Sequence, residues 1–146
     1  MTDLYFVDTN ILVYARDTAH PAKHSQARNW LEHLWKTRTG RISTQVLKEY
    51  YQVVTRRLKP GLPREQARAD IHDLWTWEPV ETDQEVFEQA WSLEDRLNYN
   101  WWDLLILAAA QRSNCIYVLS EDLQNDQTID NLKILNPFTT TINDQT

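Results

Sequence analysis

Short runs of consecutive apolar residues punctuate this chain, and helical stripes fill the stretches between them. Leu4–Val7 and Ile116–Leu119 are apolar without alternation, as strands buried on both faces are, and Lys133–Leu135 reads as a last short strand. Ala27, Trp30, Leu31, Leu34 and Trp35 recur at helical spacing behind Pro21, which suits a first helical position, so a helix is predicted over 21–36. Arg41–Ser43 predicts a second strand. Thr44 then caps a helix running to about Leu58, with Val46, Leu47, Tyr50, Val54 and Leu58 on its inner face, and KPGLP stops it. Further helices are expected over Pro63–Trp75, from a cap at Asp83 to about Leu97, and in WWDLLILAAAQR behind a cap at Asn100, with an edge strand over Glu78–Glu81. Short apolar strands alternating with helices predict an α/β fold: an α/β/α sandwich around a central parallel sheet of four or five short strands.

A chain of 146 residues suffices for one domain with a real core, and neither repeats nor a Gly- or Pro-rich linker divides it. The expected organisation is a single domain over residues 1–138 and a polar C-terminal tail over 139–146. Apolar residues make up 42% of the chain, yet no run approaches the roughly 18 residues of a membrane span. The start, MTDLYFVD, lacks an export leader, so no membrane association and a cytoplasmic location are expected. Cys115, the lone cysteine, excludes an internal disulfide and a thiolate-rich zinc cluster.

Net charge, -6 overall, is unevenly spread: residues 1–73 hold 12 Lys and Arg against 8 Asp and Glu, residues 74–146 only 3 against 13. Lys36, Arg38, Arg41, Arg56, Arg57, Lys59, Arg64 and Arg68 either face solvent or offer a local surface to phosphates.

The acids change the picture most. Asp8 interrupts the apolar stretch LYFVDTNILVYA, and Asp122 follows the strand ending at Leu119. In a parallel sheet the carboxyl ends of strands open onto the crevice where ligands bind. Asp103 joins them in the first turn of the helix that feeds the Ile116 strand. Singly, each has a plainer explanation: a turn with Asn10 for Asp8, complementation of a helix N-terminus for Asp103, a loop acid for Asp122. Together they do not sit easily. Two carboxylates about 5 Å apart repel by roughly 3 kcal/mol at an effective dielectric near 20. No Lys or Arg lies in YFVDTN, WWDLL or LSEDLQND to neutralise them. Such a set protonates in part, pairs with cations or binds metal, and oxygen-only donors favour magnesium or manganese over zinc.

FVDTNILVYA, STQVLKEYY, WWDLLILAAA and LSEDLQND resemble the four acidic motifs of PIN-domain proteins, in their order and at their spacing, with the VapC-type toxin ribonucleases as the nearest likeness. The resemblance runs from Leu4 to the ending KILNPF. It implies a metal-dependent endoribonuclease using one or two Mg2+ or Mn2+ ions, leaving 5′-phosphate and 3′-hydroxyl ends. It further implies an RNA substrate, a small cognate antitoxin and a homodimer or dimer-based hetero-oligomer. The acids it carries over are Asp8, Glu49, Asp103 and Asp122, with Asn10 and Ser120 as polar supports. Glu49 rests on the resemblance alone, since it lies about 130° off the apolar stripe of its helix and otherwise reads as a solvated acid. Relatives often have Ser where this chain has Asn100, Ala where it has Leu104, and Gly where it has Asp126. Asp126 therefore either holds a positive backbone φ or adds a fifth carboxylate. The alternative to an enzyme is a catalytically silent PIN fold serving as an RNA-binding or protein-interaction module. A phosphate-accepting signalling domain is a weaker rival, because that class needs a Lys near the acids, and after Lys48 none occurs until Lys59, with Lys133 in the terminal strand the only later one. Of the seven tryptophans, core packing is expected for any one, and His20 and His24 are expected at a solvated helix start.

Overall fold

The apolar run Tyr5–Val7 forms β1, a wholly buried strand that begins the computed structural model, which describes residues 2–142. After the single residue Asp8 the chain turns into α1 (Thr9–Tyr14), then α2 (Pro21–Thr37), β2 (Gly40–Arg41), α3 (Thr44–Arg56) and α4 (Arg64–Leu74), with a 3-10 turn over Trp75–Trp77. The second half is α5 (Gln84–Glu94), α6 (Trp101–Arg112), β3 (Tyr117–Leu119), β4 (Thr128–Ile129) and β5 (Leu132–Leu135). Among the described residues no helix is long and apolar enough to cross a membrane.

The sheet order is β2-β1-β3-β5-β4, parallel except for β4, which pairs antiparallel with β5 at one edge. The expected parallel sheet of four or five strands is thus mostly parallel, with helices flanking it. Val7 pairs with Leu119 across the two central strands, so Asp8 and Ser120 leave the sheet side by side. The Asp8 N–H donates to the Leu119 carbonyl at 3.0 Å and extends the ladder to the rim of the site. α6 is buried from Leu104 through Ala110, as a helix that is apolar on all sides must be, and it packs against α5. α1 packs on α2 and α3.

Several local expectations are corrected. The helix α1 is not among the expected elements, because Asp8 and Asn10 read as a turn and the six residues of the helix are too few to show a helical period. Ser43, rather than Thr44, caps α3, its hydroxyl accepting from the Val46 N–H at 3.3 Å. The edge strand expected over 78–81 reduces to one parallel bridge between Ser43 and Val80. Two of the tryptophans, Trp30 and Trp77, are buried, whereas Trp35, Trp75, Trp91 and Trp102 are exposed. Gly40 is required by packing: a Cβ there would lie 2.7 Å from the Trp77 ring. Of the tail expected over 139–146, Ile142 packs against the core and residues 143–146 lie outside the described residues.

Candidate active site

Asp8 is the centre of the site, and its position follows from two local demands. It ends β1, and it caps α1 by accepting the Thr9 N–H on Oδ1 at 2.7 Å. Its other oxygen accepts from the Ser120 hydroxyl at 2.8 Å, and more distantly from the Asn10 amide at 3.5 Å. The residue is only 7% exposed. Burial pushes its carboxyl up to about 7, opposed by the Ser120 and Thr9 hydrogen bonds and reinforced by the negative charges of Asp122 and Glu49.

The remaining acids are tied to Asp8 by a chain of neutral side chains. Asn10 donates to Asp122 Oδ2 at 2.9 Å, while its carbonyl oxygen faces the Glu121 N–H at 3.4 Å. Ser120 also accepts the N–H groups of Asp122 and Leu123 at 3.2 and 3.4 Å, which shapes the loop carrying Asp122. Thr9 donates its hydroxyl to Glu49 Oε2 at 2.8 Å, and Gln45, one turn earlier on α3, donates to Glu49 Oε1 at 2.9 Å. The same Gln45 amide reaches the Trp102 carbonyl at 3.3 Å, beside Asp103 in the first turn of α6. Asn100 caps that helix in both directions: its oxygen accepts the Asp103 N–H at 2.9 Å and its amide donates to Asp103 Oδ2 at 3.0 Å. Burial raises the Asp103 carboxyl from its ordinary value; Asp122 and Glu49 add to the rise, and Asn100 opposes it.

The structure therefore brings Asp8, Glu49, Asp103 and Asp122 into one electrostatic neighbourhood from four separated segments. Among the described residues no Lys, Arg or His forms an ion pair with any of the four. Lys23 is held on Glu121, whose other oxygen accepts from Tyr14 at 3.0 Å. Asp126 is not part of the cluster: it has φ 67, and its carboxylate lies 3.8 Å from Lys133, so the backbone explanation for that residue holds. His24 bonds to the Tyr14 carbonyl and His20 precedes α2, away from the acids. Sequence reasoning missed Thr9 and Gln45, although their placement was available: one adjoins Asp8, the other precedes Glu49 by one helical turn.

The profile of the PIN domain matches residues 5–128. The chain belongs to the PIN-domain family. No curated protein matches the sequence significantly. Among solved structures, a chain of VapBC2 from Rickettsia felis, bound to a DNA fragment from their promoter, is 25% identical, with a TM-score of 0.61 over 90% of this chain and 96% of that one. A toxin-antitoxin complex from Klebsiella pneumoniae is similar in fold at 19% identity and a TM-score of 0.65, over 91% and 97% of the two chains. VapC20 of Mycobacterium tuberculosis, a Sarcin-Ricin loop cleaving toxin, shares the fold at 20% identity and a TM-score of 0.60, over 81% and 89%. For this PIN domain, the PIN-like sandwich expected from sequence is thus the observed fold.

Proposed function

We propose that the protein is a metal-dependent endoribonuclease, the toxin of a VapBC-type toxin–antitoxin pair acting in the cytoplasm. The observation that carries this reading is the gathering of Asp8 and Asp122, beyond β1 and β3, with Glu49 of α3 and Asp103 of α6, with Asp8 buried and, among the described residues, no ion-pair partner for any of the four. A silent binding module has no use for side chains that repel one another. Membership in the PIN family and the likeness to VapBC2 support the same reading.

The donor set fits a hard divalent cation. All candidate donors are oxygens, and burial together with like charge has raised the carboxyls of Asp8 and Asp103, a strain that a cation relieves. Among the described residues no three acids already close around an ion. The acids would have to draw closer to hold Mg2+ or Mn2+, one ion or two. Asp8, Asp103 and Asp122 are the direct holders in this reading, and Glu49 holds directly or through water. When bound, the ion supplies an acidified water and neutralises charge on the phosphate. The chain contributes orientation: Ser120 and Asn10 fix Asp8 and Asp122, and Asn100 fixes Asp103. In this reading the nuclease unit covers residues 1–138, and Ile142 beyond it still packs against the core.

An RNA substrate and a small antitoxin are the partners that follow, with a homodimer or dimer-based hetero-oligomer as the assembly. Exposed Trp35, Trp75, Trp91 and Trp102 leave aromatic surface for such contacts. The test is cleavage of a panel of single-stranded and hairpin RNAs with Mg2+ or Mn2+. Wild type should cut, EDTA should stop it, and Asp8→Asn or Asp103→Asn should lower turnover at least about a hundredfold. Binding of RNA without metal-dependent cleavage by the wild type would favour the silent module instead.

A further inference from the structure

Glu49 is the acid least expected at this site, since it lies off the apolar stripe of α3 and has no neighbour in sequence among the other three acids. Glutamate is also among the side chains with most rotamer freedom to lose on ordering. Yet both of its carboxylate oxygens are held, and by groups from different parts of the chain: Thr9 from α1 on Oε2 and Gln45 from its own helix on Oε1. Thr9 is buried, at 7% exposed, and it touches two acids at once, Asp8 through its N–H and Glu49 through its hydroxyl. Gln45 is likewise shared, since its amide also reaches the Trp102 carbonyl in the turn that carries Asp103.

We infer that Thr9 and Gln45 are the positioning residues of the site: between them they fix Glu49 against Asp8 on one side and Asp103 on the other. The inference rests on the nuclease reading above and adds to it the device that sets the spacing of the acids. The chemistry of the two donors is what the task requires. A hydroxyl and a carboxamide order a carboxylate through charge-assisted hydrogen bonds without cancelling its charge, as a Lys or Arg in either place would. A carboxylate offers about four acceptor positions. One donor on each oxygen therefore leaves acceptor capacity on both, free to face the substrate side. The contact of Gln45 with the Trp102 carbonyl joins α3 to the first turn of α6, so one side chain links the helix that carries Glu49 to the turn that carries Asp103.

The test is steady-state cleavage of the RNA that wild type cuts best, at saturating Mg2+. The variants are Thr9→Val, which keeps shape and loses the hydroxyl; Thr9→Ser, which restores it; and Gln45→Leu, which removes the amide at a half-exposed position where folding is safe. Each is also combined with Glu49→Gln. The expected result is a fall in kcat of about 10- to 100-fold for Thr9→Val and Gln45→Leu, the scale of a misplacement near 1 Å, with KM within about twofold of wild type. Thr9→Ser recovers most of the loss. In the Glu49→Gln background neither substitution has a further effect, because the residue they position is already disabled. Unchanged kcat in Gln45→Leu, or losses that add in full to that of Glu49→Gln, would overturn the inference. Asp103→Asn, run in parallel, separates the two levels: if it cleaves like wild type the acid cluster is not the cutting site and the reading above fails at its site, whereas if it alone is dead the nuclease site stands and the positioning role is wrong.

Discussion

Replacing Asp8 by Asn should stabilise the metal-free protein at pH 8. The ordinary value for this carboxyl is 3.8 and in the fold it stands at about 7. Between those values the folded state keeps a proton that the unfolded chain has released, so stability falls as pH rises through that window. At about 1.4 kcal/mol per pH unit the full interval amounts to about 4 kcal/mol lost by pH 8. Asn keeps the shape, caps a helix as well as Asp does, and carries no charge to desolvate. Its oxygen can still accept the Thr9 N–H, while its amide must turn the Ser120 hydroxyl from donor to acceptor, which offsets part of the gain. A net stabilisation of about 2–4 kcal/mol is expected, or a rise of about 4–15 °C in melting temperature for a domain this size. The assay is urea unfolding in EDTA from pH 5 to 8.5, for wild type and variant. Wild type should lose stability across the range while the variant stays comparatively level. An Asn variant no more stable than wild type at pH 8, with the slope of the wild type retained, would refute the view that Asp8 is a buried acid held against its own charge.

Other expectations follow from neighbouring contacts. Ser120→Ala removes the donor on Asp8 Oδ2 and the acceptor for two loop N–H groups, at a cost of about 1–3 kcal/mol in urea unfolding. It should also raise the Asp8 carboxyl further, so cleavage at pH 7 drops and partly recovers toward pH 9; a pH–rate profile parallel to that of wild type would count against this. Gly40→Ala drives a methyl into the buried Trp77 ring, 2.7 Å away, and should lower stability by about 1–3 kcal/mol with little effect on KM. A melting temperature equal to wild type would show that the ring yields freely.

Legibility in the sequence tracked how local the determining physics was. β1, β3 and α6 were readable because continuous apolar runs and an Asn cap sit within a few residues of one another. Asp8 and Asp122 each follow such a strand, but their meeting on one rim depends on β1 and β3 being neighbours, which the β1–β3 pairing supplies. α1 was not readable, since Ile11, Leu12 and Val13 look like strand and only the cap formed by Asp8 turns them into helix. β4 is two residues long and depends on a turn in which Asp130 takes φ 56, so nothing periodic announces it. Glu49 needed family resemblance, because its place in the site depends on Thr9, forty residues away in the chain. Asp103 was legible as a helix acid, but its closeness to Glu49 depends on the contact of α3 with α6, which no local pattern encodes.

The most direct measurement is calorimetric titration of the wild-type protein with Mn2+ at pH 6 and pH 8, each in two buffers of different ionisation enthalpy. If the acids form a cation site around a carboxyl that titrates near 7, binding should release about one proton per ion at pH 6 and close to none at pH 8, with tighter binding at the higher pH. Absence of binding at both pH values, or binding with no proton release at pH 6, would contradict it.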